Sequence, residues 1–143
     1  MDLCHIPPTL NLYNRDWPIW TYQRQLPPAK FAFDDEGRRG EAIDSLVSAG
    51  CILSGSRVKR SVISSDTFIH SYALVKDSVV LPSVDIGRNC RINRAIIDKS
   101  CIIPADTVIG EDLEEDKKRF YVDENGIVLV TPDMLGQHLH TVR

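Results

Sequence analysis

The chain has 143 residues, 43% of them hydrophobic and 26% charged, with a formal net charge of −3. This is the composition of one ordinary soluble domain, and its mild acidity gives no general attraction to nucleic acid or to an anionic membrane. No apolar run approaches the ~18 residues of a membrane span, and MDLCHIPPTL lacks the basic region and apolar core of a secretory leader.

Residues 1–44 read as a connector and loop. Pro7, Pro8, Pro18, Pro27 and Pro28 forbid long regular structure, while Tyr13, Trp17, Ile19, Trp20 and Tyr22 supply apolar mass. An extended segment pinned down by its aromatic residues is expected, followed by a polar loop at 34–42.

From Ser45 the chain divides into four rows starting at Ser45, Ser61, Ser78 and Ala95, with steps of 16, 17 and 17 residues. Each row holds three copies of one pattern: a small residue, any residue, then an aliphatic one. The second row, for example, has Ser61-x-Ile63, Thr67-x-Ile69 and Ala73-x-Val75. Residues i and i+2 of a strand point to the same face. A pair recurring about every six residues therefore makes three short strands and three bends, one turn of a triangular prism. Stacked turns place aliphatic side chains on one another, each contributing about 1.5–3 kcal/mol on burial. The fold class predicted is all-β: a left-handed parallel β-helix of the hexapeptide type over 45–110, about four coils. Cys51, Cys90 and Cys101 fall in the small inward slot, where a free thiol acts as a small hydrophobe. The cysteines, Cys4 included, form no C-x-x-C pair, which points to a reduced, cytoplasmic protein.

Residues 111–143 read as a cap. EDLEEDKKRF is a charged turn or helix with possible Glu114–Lys118 and Glu115–Arg119 pairs. YVDENGIVLV forms a hairpin around Asn125-Gly126, and Thr131-Pro132 starts a short helix with Thr131 as its N-cap.

The residues carry no evident active site. His70, in a bend, is the one histidine within the coils and could serve as the base of a hexapeptide acyltransferase, but it stands alone with no long loop around it. Zinc hydratases of this solenoid class need three histidines, and His138-x-His140 near the chain end is weak as a metal signal. There is no phosphate-binding glycine loop. Arg57, Lys59, Arg60, Arg88, Arg91, Arg94 and Lys99 gather on the coil surfaces, interspersed with acids, and an anion site among them is conceivable.

YNRDWPIWTYQRQLPPAKF (13–31), EAIDSLVSAGCILSGS (41–56), GEDLEEDKKRFY (110–121) and GIVLVTPDML (126–135) together resemble the C-terminal part of bacterial glucose-1-phosphate adenylyltransferase. That resemblance implies a family making ADP-glucose and pyrophosphate from ATP and glucose 1-phosphate with magnesium, in glycogen synthesis. It also implies that catalysis belongs to an N-terminal nucleotidyltransferase domain absent from this sequence, so no catalytic, cofactor or metal residue is expected here. The implied partners are that domain and the subunits of a homotetramer, with allosteric control by a phosphorylated effector. By the same resemblance Lys99 matches a basic effector contact in the last coil. Pro132 and Gly136 stand among positions where enteric members carry arginines for a sugar bisphosphate, and Trp20 stands where an arginine is common. Two further readings are a stand-alone acyltransferase using His70 and a separately encoded regulatory subunit.

Overall fold

The computed structural model describes residues 2–19 and 22–137. Met1, Trp20 and the His138–His140 pair lie outside the described residues. Three parallel sheets face one another, each with five parallel rungs. The first face stacks Lys30–Ala32, Ile52–Ser54, Phe68–Ile69, Asp85–Ile86 and Ile102–Ile103. The second stacks Glu41–Ile43, Arg57–Lys59, Leu74–Lys76, Arg91–Asn93 and Val108–Ile109. The third stacks Leu46–Val47, Val62–Ile63, Val79–Val80, Ala95–Ile97 and Val128–Val130. This is the hexapeptide β-helix that the sequence pattern predicts.

All twelve inward pairs occupy rungs. Leu53, Ile63, Ile69, Val75, Val80, Ile86, Ile97 and Ile109 are fully buried. Only Ser45, Val47 and Thr107 are half-buried, near the ends of the solenoid where neighbouring coils are missing. The buried thiols donate to backbone carbonyls: Cys51 Sγ to Ser64 O and Cys90 Sγ to Pro104 O, both at 3.0 Å. Burial pushes all three thiols up, Cys101 to about 11, so they pack as apolar groups and are not thiolates at neutral pH.

The ladders run past both expected limits of the solenoid, 45 and 110. At the N-terminal end Phe31 pairs with Leu53 and Ala42 with Val58, so two rungs lie within the stretch expected as connector and loop. Ala29-x-Phe31 does repeat the small-then-large pattern, but with an aromatic residue. Between these rungs the hairpin of Asp34–Asp35 and Arg38–Arg39 interrupts the coil. At the C-terminal end the third face is completed only after a 17-residue excursion, 111–127, when Val128–Val130 pairs in parallel with Ala95–Ile97.

That excursion holds the one α-helix among the described residues, α1 (Leu113–Arg119), with Asp112 as its N-cap accepting from Glu115 N. Its ion pairs are Glu114–Lys117, Glu115–Lys118 and Asp116–Arg119, spaced i,i+3 rather than the expected i,i+4. On so short a helix either spacing shares a face. Asp116 is 1% exposed. Its carboxylate accepts from Gly110 N and from Arg119, both at 2.7 Å, and Arg119 also donates to Val108 O at 2.8 Å. The helix is thus tied to the last rung of the second face. Tyr121–Val122 then pairs antiparallel with Val128–Val130, closing the expected hairpin. The tail differs from expectation. Asp133–Leu135 is one 3-10 turn preceded by Pro132, without a side-chain cap from Thr131. Gln137 follows it and hydrogen-bonds Ile102 through both amide atoms, at 2.6 and 2.9 Å, replacing the next rung of the first face.

The serines that open the rows do more than relieve crowding. Ser61 Oγ donates to Lys59 O at 2.8 Å and accepts from Ser78 N at 3.2 Å. Ser78 Oγ donates to Lys76 O at 2.6 Å and accepts from Ala95 N at 3.2 Å. Each buried hydroxyl therefore satisfies a backbone group in its own coil and one in the next. Ser78→Ala is expected to lower unfolding stability by about 2 kcal/mol, because two buried backbone groups lose their partner; urea denaturation measures this. Gly110 has φ +87 and passes so near the previous coil that an added Cβ would lie 1.7 Å from Asn93 O. Gly110→Ala should cost about 3 kcal/mol, read as a lowered Tm.

Candidate functional site

Every corner between faces turns on residues with positive φ. From the second to the third face these are Asp44, Arg60, Asp77 and Arg94, with φ between 46 and 50°. An arginine adopts this conformation only at some cost, and the alternation of charge up the corner offsets it. Arg60 donates to both oxygens of Asp77, at 2.7 and 3.0 Å. Arg94 donates to Asn125 O at 2.6 Å.

Most of the basic residues expected on the coil surface are engaged in the same way. Arg57 pairs with Glu41, Arg91 with Glu111 at 2.8 Å, and the Arg88 guanidinium lies 4.7 Å from the Tyr72 ring centroid. These arginines spend their forks on the solenoid itself and do not converge on a shared anion pocket.

Lys99 sits at the corner from the third face to the first. Here Ala49, Ser65, Pro82 and Lys99 succeed one another rung by rung, each before a residue of positive φ: Gly50, Asp66, Ser83 and Ser100. Ser100 N donates to Pro82 O at 3.0 Å and Ser83 N to Ser65 O at 3.0 Å. The Lys99 side chain is exposed, and among the described residues no carboxylate pairs with its ammonium. A groove of about 430 Å³ runs along the same corner, between Tyr22, Arg24 and Leu26 of the connector and Ala49, Ser65 and Pro82 of the coils. It ends one rung short of Lys99. Arg24 stands 3.8 Å from Asp66, and Gly50 N donates to Pro27 O at 2.7 Å, holding this end of the connector to the corner. Lys99 and Arg24 are thus two solvent-facing cations on one edge, suited to an anion and equipped with no nucleophile or base.

His70 is not alone, contrary to expectation. Its Nε2 lies 2.9 Å from Asp85 Oδ1, and its ring meets Phe68 edge-on at 4.1 Å. Asp85 comes from the next coil, 15 residues on, where local spacing gives no hint of it. Both side chains are about half exposed. The pair lies on the outer surface of a ladder, and the inserted hairpin of 34–39 comes near it, Arg38 donating to Ser71 Oγ at 3.1 Å beside His70. Among the described residues no three His, Cys, Asp or Glu side chains gather as a metal site, and no helix is long and apolar enough to cross a membrane.

A β-helix of three short-stranded faces, corners of left-handed residues and an inward small-x-aliphatic code defines the hexapeptide class. The family described as GlmU-like, C-terminal hexapeptide matches residues 27–130, and the chain belongs to it. The matched span starts at the Pro27 anchor and ends with the last rung of the third face. Over its whole length the chain is 72% identical to glucose-1-phosphate adenylyltransferase of Hydrogenovibrio crunogenus. It is 69% identical to the enzyme of that name from Thiobacillus denitrificans and 62% to that from Methylococcus capsulatus, each over 98% of the chain. It spans about a third of the length of these relatives and matches their C-terminal region.

The Arg60 hydrogen bonds, joined by the charge of the same group, hold the Asp77 carboxyl below its ordinary value of 3.8. A depressed folded-state pKa contributes stability above the unfolded value, and this is lost as pH falls through the folded one. Wild-type stability should therefore drop as pH falls below ~4, and Asp77→Asn should flatten that limb while being less stable at pH 7; chemical denaturation across pH 2–7 (about the carboxylate range) is the measurement.

Proposed function

We propose that the chain is the C-terminal β-helix of a glucose-1-phosphate adenylyltransferase and serves assembly and allosteric control, with catalysis carried by an upstream nucleotidyltransferase domain. The observation that carries this reading is 72% identity across the entire chain to a relative of which it covers only 34%. The surface supports it from the other side. Its exposed cations fit a phosphorylated ligand. ATP, magnesium and glucose 1-phosphate are then ligands of the upstream domain. A cytoplasmic homotetramer, free of membrane and nucleic acid, completes the reading.

The chain alone, mixed with ATP, glucose 1-phosphate and magnesium, is expected to form no ADP-glucose. The same chain joined to the upstream two thirds of the Hydrogenovibrio crunogenus relative should form it, in an assay of pyrophosphate release. Failure of the joined protein, or turnover by the chain alone, overturns the reading. The His70–Asp85 pair favours one alternative, acyl transfer with His70 as base. That alternative requires acetyl transfer from coenzyme A by the chain, lost in His70→Ala.

Lys99 is assigned the effector contact. In the joined protein Lys99→Ala should raise the phosphorylated effector concentration giving half-maximal response by roughly tenfold, the equivalent of one lost charged hydrogen bond. The kcat without effector should stay unchanged.

A further inference from the structure

The hairpin that joins Tyr121–Val122 to Val128–Val130 carries the pair Asn125-Gly126 at its tip. Gly126 takes the left-handed φ of +77° that closes such a turn. Hydrogen bonds hold the backbone of the tip from several sides. Gly126 N donates to Asp123 O at 3.1 Å, and Asp123 N donates to Ile127 O at 3.0 Å. Asp123 Oδ1 accepts from Asn125 N at 2.9 Å and from Ile127 N at 2.7 Å, the local bonding to which an aspartate in a turn is suited. From outside the hairpin Arg94 donates to Asn125 O at 2.6 Å. Arg94 also accepts at its own carbonyl from Val128 N at 3.1 Å. The tip is therefore bound to the corner from which the Ala95–Ile97 rung starts, and it feeds the rung that closes on it.

The Asn125 side chain takes no part in these ties. The residue is exposed, and among the described residues its side-chain amide makes no hydrogen bond. The glycine that follows has no Cβ to shield its nitrogen. That nitrogen, once it loses its proton, can attack the Asn125 side-chain carbon Cγ and expel ammonia, closing a succinimide ring. Water then opens the ring at either carbonyl, leaving an aspartate or an isoaspartate at position 125. Water is the one co-reactant. The fold opposes the first step. The proton that Gly126 N must lose is bonded to Asp123 O, and rotation of the peptide toward Cγ pulls its oxygen from Arg94.

We propose that Asn125 is a site of spontaneous deamidation, restrained in the folded chain by Asp123 and Arg94, and that its isoaspartyl product releases the last rung of the third face. The proposal does not depend on the proposed function. In the isoaspartyl product the main chain runs through the former side chain and gains one methylene. The carbonyl that Arg94 now holds becomes a free carboxylate, so Arg94 keeps its partner while the path onward to Val128 lengthens. The bonds from Asn125 N and Ile127 N to one carboxylate oxygen set the width of the loop, and a longer link no longer fits it. Conversion is thus a local opening at the end of the solenoid, where cooperative support from a further coil is missing.

Peptide mapping by mass spectrometry of the chain aged in neutral buffer, with isoaspartyl methyltransferase labelling, tests this. Folded wild type should convert slowly at Asn125, and both the urea-unfolded chain and folded Asp123→Ala several-fold faster. In the unfolded chain Asn125 should outpace Asn11 and Asn89, which precede Leu12 and Cys90. Arg94→Ala removes the other tie and carries the same expectation should Asp123→Ala not fold. The isoaspartyl fraction, separated by ion exchange, should have a lower Tm than the unconverted one, and aged Asn125→Gln should match its fresh sample. Conversion of Asn125 no faster than that of Asn89 in the unfolded chain overturns the site. Equal rates in folded wild type and in the folded variants overturn the restraint, and an unchanged Tm of the isoaspartyl fraction overturns the release of the rung.

Discussion

Everything in this protein depends on the vertical stacking of one coil on the next. A single coil of 16 or 17 residues has strands of two or three residues and cannot bury its own aliphatic side chains. Stacked in register, Val58 lies beneath Val75 and Val75 beneath Ile92, and each fills the space left by its neighbours. The backbone bonds between rungs follow the same geometry. Such a solenoid is stabilised by nearest-neighbour contacts alone, so its two ends are its weak points. The C-terminal end is closed at all three ladders: by Gln137 on the first face, by Arg119 on the second and by the Tyr121–Val122 strand on the third. At the N-terminal end Phe31, whose partner Leu53 points inward, remains 46% exposed.

Corners are the second demand of this architecture. Three sharp bends per turn require left-handed backbone at each, and glycine fills only a minority of these positions. The chain stabilises the rest by vertical pairing. Arg60 clamps Asp77, Asn89 donates to Asp106 at 2.8 Å, and the serine ladder ties each row to the next. Charged residues that would otherwise define a ligand site are thereby spent on the scaffold. Among the described residues Lys99 has no carboxylate partner, Arg24 stands 3.8 Å from Asp66, and the His70–Asp85 pair is half exposed on one face.

The twelve inward pairs were legible in the sequence because the period of a β-strand is local: the residue two places on shares the face, whatever the rest of the chain does. That sufficed for the fold class, for the core, and for the role of three of the cysteines. The first rungs were less visible because Phe31 and Ala42 break the aliphatic code at an end where the core is incomplete. The site was less legible still. Lys99 was found by resemblance and not by its spacing, and the partner of His70 lies one coil away.

The sequence by itself thus determined that this chain winds into a hexapeptide β-helix and which side chains point inward. The tertiary structure decided what meets across coils: Arg60 with Asp77, His70 with Asp85, and Arg94 with Asn125. The physical reason is one of range. Facing inward is set by neighbours two residues away, whereas these outward contacts join residues about a full turn or more apart, at a distance fixed only when rows of 16 and 17 residues and a 17-residue excursion have been brought into register.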